Sequence, residues 1–211
     1  MRVDRKRADG RGLCLADFAA HNEATSSGLS VAEVLALRLY TTAAFRTVNT
    51  RLRDAVASSG GSSTERKTPR PHPLPCTVAF LKDGLMKLRN THVDRGQATE
   101  AIDLWRGLKD MTLSDAFVSA GGTEVAPMST TKDWKVALGY SRSRAPLVFK
   151  IRSNCFANRG ADISFLSAFP AEQEFLYPPL TFLRPTGWCK EVSLGDEHGT
   201  IKVVEMEPNL S

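Results

Sequence analysis

AEQEFLYPP, from Ala171 to Pro179, places Glu172 and Glu174 two residues apart, ahead of a short apolar run that ends in two prolines. Phe175, Leu176 and Tyr177 read as a β-strand. Pro178 and Pro179 mark it as an edge strand or one closed by a bulge, because proline donates nothing to a sheet ladder. Side chains two apart in an extended segment point the same way, so both glutamates would face one site. Two carboxylates beside a glycosidic bond are a chemical device: one steadies an oxocarbenium-like cation and the other handles a proton on the nucleophile. Taken alone, the stretch reads more simply as a solvated pair at a strand start.

The stretch has companions. AIDLWRG from Ala101, EVAPMSTT, PLVFKIR, ADISFL, CKEVSL and TIKVVEME are also short, rich in β-branched or aromatic residues, and split by Gly, Pro and Asp. KDWKVALGY, between the second and third, reads as a short helix packed through Trp134, Val136, Ala137 and Tyr140. Before Ala101 the pattern is helical. Ser30 and Glu33 form a capping box, and Val34, Leu37, Thr41, Phe45, Val48, Leu52 and Val56 make one helix face. An interruption is expected near Thr41–Thr42; Tyr40, Asn49 and Arg53 sit off the stripe. A second amphipathic helix runs from about Thr77 to Arg89, through Val78, Leu81, Leu85 and Leu88. Helices first and strands after predict an α+β fold with a mixed or antiparallel sheet, not a doubly wound one.

The 211-residue length suits a single domain. Residues 1–28 are polar and expected to be loosely ordered, leaving 29–211 as the domain: a helical part, 29–100, and a β-rich part, 101–211. The Ser-, Gly- and Pro-rich stretch 57–75 reads as a long exposed loop. No apolar run approaches a membrane span. A charged start, MRVDRKRADGRG, suggests a cytoplasmic protein or an excised domain, with secretion left open. A monomer is expected. The net charge of +5 is scattered rather than gathered into a block, and no zinc-finger or RNA-recognition spacing occurs, so nucleic acid is disfavoured as a partner. Cys14, Cys76, Cys155 and Cys189 form no CxxC pair, and the four histidines are dispersed, so no metal is predicted. Glycine-rich dinucleotide and P-loop motifs, the GxSxG elbow and the kinase signature are all missing.

Two further features carry chemistry. Arg106 sits within the apolar strand around Leu104 and Trp105, where a charge needs a partner. It is either a clamp for phosphate oxygens or one half of a structural ion pair. Ser129, Thr130 and Thr131 end a strand just before the KDWKVALGY helix. Thr131 suits an N-cap, whereas Ser129 has less reason to be one and is free to orient a catalytic side chain or a ribose.

Arginine, then Ser-Thr-Thr, then Glu-x-Glu, in that order on successive strands, resembles the arginine–serine–glutamate class of mono-ADP-ribosyltransferases. The resemblance spans most of the chain. LRLYTTAAFRTVNTRLR is similar to the family's helical segment, LWRG to its arginine strand, MSTT to its Ser-Thr-Ser strand, and LSAFPAEQEFLYPP to its loop and ExE strand. Thr131 stands where many relatives have serine, and a hydroxyl is kept. The resemblance implies N-terminal helices packed on a split, mostly antiparallel sheet, with NAD as co-substrate. It implies that Arg106 binds NAD phosphate, that Gly107 offers backbone groups on the nicotinamide side, and that Ser129, with Thr130 and Thr131 beside it, lies near the nicotinamide ribose. Glu174 would hold the ribose 2′-hydroxyl and stabilise the cation formed as nicotinamide leaves, while Glu172 would position or deprotonate the acceptor. In GYSRSRAP, Tyr140 and Arg144, with Arg142 as rival, would contact nicotinamide and phosphate, and Phe169 would meet the protein substrate. ExE further implies an arginine acceptor on an unknown protein. Two alternatives stand: an NAD glycohydrolase on the same fold, and a non-catalytic module binding phosphate or nucleic acid through Arg142, Arg144 and Arg159.

Overall fold

The computed structural model describes residues 12–57, 71–94, 101–155, 158–194 and 199–210. Helices α1 (Leu15–Ala19), α2 (Asn22–Ser26) and α3 (Val31–Leu39) lead into a π turn (Tyr40–Ala44), α4 (Phe45–Ala57) and α5 (Pro75–Asp94). Strands follow: β1 (Ile102–Leu108), β2 (Gly122–Glu124), β3 (Met128–Thr131), β4 (Leu147–Ser153), β5 (Ala161–Asp162), β6 (Glu174–Tyr177), β7 (Thr181–Ser193) and β8 (Thr200–Asn209). Helix α6 (Asp115–Ala120) lies between β1 and β2, and α7 (Trp134–Ser141) between β3 and β4. The sheet order is β2-β7-β8-β4-β1-β3-β6-β5. All pairs are antiparallel except β4–β8. The expected α+β architecture with a mostly antiparallel sheet is therefore present.

The sheet is nearly divided. Strands β1 and β4 pair along seven positions, and β3 and β6 along four, but β1 meets β3 only at Trp105 and Thr131. On the β3-β6-β5 side, Leu176, Ala161 and Ile163 face the helices and pack with Val34, Leu37, Leu81, Leu85 and Leu88. Phe175 and Tyr177, one residue either side of Leu176, face the other way and join Leu104, Met128, Phe149, Leu183 and Met206. This alternation is the period-two geometry of a strand with both faces covered.

Five expectations change. Residues 12–28 were expected to be loosely ordered, yet they form α1 and α2, with Phe18 and Ala24 buried in the helical core; residues 1–11 lie outside the described set. The helical stripe does not run straight through α4. Thr42 has an extended backbone (φ −99°, ψ −178°) inside the π turn, which rotates α4 relative to α3. Phe45 and Val56 are consequently exposed, while Tyr40 and Asn49, off the stripe, are buried. Strand β6 is not an edge, since β3 and β5 flank it; Pro178 and Pro179 end it instead. Thr131 is not the cap of α7: Asp133 accepts from the Lys135 N–H at 2.8 Å. The capping box at Ser30 and Glu33 is present as read, and Lys87 ties Glu33 to α5. Helix α5 begins earlier than expected, at Pro75, a favoured first position, and most of the 57–75 stretch (58–70) lies outside the described residues.

Candidate active site

The near-division between β1 and β3 is where the chemistry-bearing residues gather. Ser129 Oγ donates to Glu174 Oε1 at 2.7 Å, and Ser167 Oγ donates to Oε2 at 3.4 Å. Arg106 crosses the division: its Nη1 donates to the Ser129 carbonyl at 2.9 Å. Three residues far apart in sequence are thereby joined in one chain of contacts.

Glu174 opens β6 and is buried. Burial raises its pKa from 4.5 to about 7; the hydrogen bond from Ser129 works against this and the charge of Glu172 adds to it. A carboxylate held by two hydroxyls in a desolvated niche is fixed in direction and strong in its field, as stabilising a developing cation requires.

Arg106 has a side chain only 17% exposed, and desolvation lowers its pKa. Its nearest carboxylate, Glu124, is 3.9 Å away and is mainly engaged by Arg53, which grips it through Nε at 3.1 Å and Nη2 at 2.9 Å. Arg106 is thus not one half of a tight ion pair, and donors of its guanidinium remain for an anion. Tyr40 packs beside it, donating to the Pro127 carbonyl at 2.9 Å and accepting from Asn49 Nδ2 at 3.1 Å. Tyr40, Asn49, Arg53, Glu124 and Ser167 received no individual roles from the sequence. The signal for the first three was their position off the helical stripe; Glu124 and Ser167 gave none.

Glu172 reaches the site by a different route from that expected. It is not extended: it ends a 3₁₀ turn (Pro170–Glu172), and Gln173 is left-handed at φ 47°, ψ 55° before β6 begins. Two bonds hold it. Thr131 Oγ1 donates to its carbonyl, and Tyr140 Oη donates to Oε1 at 2.9 Å. Burial raises the Glu172 pKa.

The remaining candidates divide. Thr130 points to the opposite face of β3, buried, with its hydroxyl on the Phe175 carbonyl, so it serves strand pairing rather than the cleft. Phe169 is half-buried at the start of the 3₁₀ turn. Gly107 is needed for packing, because a Cβ there would lie 2.0 Å from the Ala137 carbonyl oxygen. Arg142 and Arg144 are exposed beyond α7; the Arg144 N–H donates to Asp110, and neither guanidinium contacts Glu172 or Glu174 among the described residues. Among those residues no group of three or more His, Cys, Asp and Glu is placed to hold a metal, and no helix is long and apolar enough to cross a membrane.

The family model for NAD:arginine ADP-ribosyltransferases matches residues 13–194. The chain belongs to that family. NAD-dependent ADP-ribosyl transfer is the activity this membership supports. No curated protein sequence matches the chain. Several solved structures share the fold. The ADP-ribosyltransferase HopU1 of Pseudomonas syringae pv. Tomato DC3000 aligns with a TM-score of 0.61 at 19% identity, covering 96% of this chain and 91% of that one. The toxin Plx2a of Paenibacillus larvae aligns at 0.60 and 18%, covering 93% and 95%. The eukaryotic mono-ADP-ribosyltransferase ART2.2 aligns at 0.57 and 17%, covering 87% and 68%. In the transferase, then, Arg106, Ser129 and Glu174 lie together on three strands of a fold shared with ADP-ribosyltransferases.

Proposed function

We propose that the protein transfers ADP-ribose from NAD to an arginine side chain of a protein acceptor. Glu172 carries this reading: a second carboxylate, beside Glu174, on a turn held from two directions. A guanidinium is cationic, so an acidic neighbour both attracts it and takes its proton. An ADP-ribosyltransferase of the same fold, Vis, has been solved with agmatine, an arginine analogue.

In this mechanism Arg106 binds the NAD phosphates through its uncommitted donors. Glu174, aimed by Ser129 and Ser167, accepts a hydrogen bond from the ribose hydroxyl and opposes the positive charge that grows as nicotinamide departs. Glu172 orients the guanidinium and receives its proton as the nitrogen attacks the anomeric carbon. Water in place of the guanidinium would give ADP-ribose, the glycohydrolase outcome.

The test incubates the protein with NAD, with and without agmatine, and follows nicotinamide and ADP-ribosyl-agmatine. Adduct formation is expected. Nicotinamide release without adduct would make the protein a glycohydrolase, and no release at all would remove both enzymatic readings. Glu174→Gln should cut turnover about 100- to 1000-fold in both reactions, the usual cost of losing one such stabilising contact. Glu172→Gln should remove transfer while leaving much of the hydrolysis, and equal loss in both would contradict the division of roles.

A further inference from the structure

We infer that Tyr140, through its hydroxyl, is a positioning residue for Glu172 and so sets the preference of the site for a guanidinium acceptor over water; this rests on the arginine-acceptor reading above.

The geometry singles out α7. The segment running through this helix meets the Glu172 turn twice, and the two contacts are nine residues apart in sequence: Thr131, just before the helix, holds the Glu172 carbonyl, and Tyr140, in its last turn, holds the carboxylate at Oε1. The helix is itself seated against the Arg106 strand, since Gly107 admits the Ala137 carbonyl where any side chain would collide. Trp134 packs edge-on to Trp105, their ring centroids 4.9 Å apart, on the same strand. Helix α7 is therefore a strut from β1 to Glu172.

A glutamate side chain needs such a strut. Its final torsion is broad and weakly preferred, so an unrestrained carboxylate rotates freely. A guanidinium binds a carboxylate in a common plane through parallel hydrogen bonds, which demands a fixed carboxylate plane. Water makes no such demand. Fixing Oε1 with a phenol therefore favours the guanidinium selectively. The phenol stays a donor through neutral and mildly alkaline pH, because burial and the neighbouring Glu172 push its pKa up to about 12. Tyr140 is 52% exposed, which places the contact at the rim where an acceptor arrives.

This differs from a ring-on-nicotinamide role, and one substitution separates the two, because Tyr140→Phe keeps the ring and removes the hydroxyl. Steady-state kinetics with NAD and agmatine should show the KM for agmatine rising and the transfer-to-hydrolysis ratio falling, each about tenfold, as expected for losing a hydrogen bond to a charged group. The KM for NAD should move far less. An unchanged agmatine KM would overturn the inference, as would agmatine and NAD constants rising in proportion. If the unsubstituted protein makes no agmatine adduct, the arginine-acceptor reading fails and takes the inference with it, whereas normal transfer by both proteins sinks the inference alone.

Discussion

At the scale of single residues, Glu174 shows how the position proposed for catalysis costs stability. Its carboxyl titrates near 4.5 when exposed and near 7 in the folded protein. The folded state therefore prefers the protonated form, and stability is lost as pH rises from about 4.5 through about 7. The neutral isostere avoids this loss. Glu174→Gln is expected to be more stable than the parent at pH 8, by up to roughly 3 kcal/mol, and equally stable at pH 4.5. Urea unfolding at the two pH values measures this; equal midpoints at pH 8 would mean that Glu174 is not desolvated as the structure shows. In the proposed mechanism the active form is the carboxylate, so nicotinamide release should rise steeply between pH 6 and pH 8. Glu174 and Ser129 were singled out in the sequence because Ser-Thr-Thr and Glu-x-Glu follow the arginine strand in the order the family resemblance rests on; strand periodicity does not by itself show that β3 and β6 are neighbours. Ser167 was not, because it enters from a loop whose direction no periodicity encodes, and Glu124 was not, because it ends a three-residue strand too short to display a period. Glu172 does not follow the extended geometry expected of it: Gln173 is left-handed rather than extended, and Tyr140 and Thr131 hold the Glu172 turn.

At the scale of elements, α7 was legible and its seat was not. Trp134 and Ala137 follow the expected helical periodicity, whereas the cap falls on Asp133 instead of the expected Thr131. What sequence cannot display is that the Ala137 carbonyl approaches β1 so closely that only glycine fits at 107. A Cβ there would sit 2.0 Å from that oxygen and 2.8 Å from the Ser141 nitrogen, both backbone atoms that move only with the helix. Gly107→Ala should cost about 3 kcal/mol, the upper range for overpacking. Gly139→Ala, in the same helix with nothing within 4 Å, should be neutral or slightly stabilising. Chemical denaturation of the pair tests this directly, and similar midpoints for both would show that α7 is not seated as described. The same limit explains the α3–α4 junction. The break at Thr41–Thr42 was visible in the pattern, but the rotation it imposes, which buries Tyr40 and Asn49 and exposes Phe45, depends on a π turn.

At the scale of the whole molecule, the order of helices and strands was enough to reach the α+β class, because helix and strand periods differ and the two kinds of segment are segregated along the chain. The division of the sheet was not legible from pattern, since it reflects how few positions β1 and β3 share. That division has a physical consequence. One body carries Arg106 on β1; the other carries Ser129 and Glu174 on β3 and β6; their sheet pairing is a single position, supplemented by the Arg106–Ser129 bond. A ligand gripped by Arg106 on one side and Glu174 on the other would bridge the two and favour the state in which they are joined. NAD should therefore stabilise the fold. At one hundred times its dissociation constant, a ligand bound only to the folded protein adds about 2.7 kcal/mol. For a chain of this size that is a rise in Tm of roughly 5–10 °C. The measurement belongs in the Glu174→Gln background, where NAD is not consumed. Adding Arg106→Lys keeps the charge but removes the planar fork that matches phosphate oxygens, and it should abolish most of the rise. A full NAD-dependent shift in the double variant would mean that the dinucleotide is held elsewhere, and that Arg106 serves only to join the two halves of the sheet.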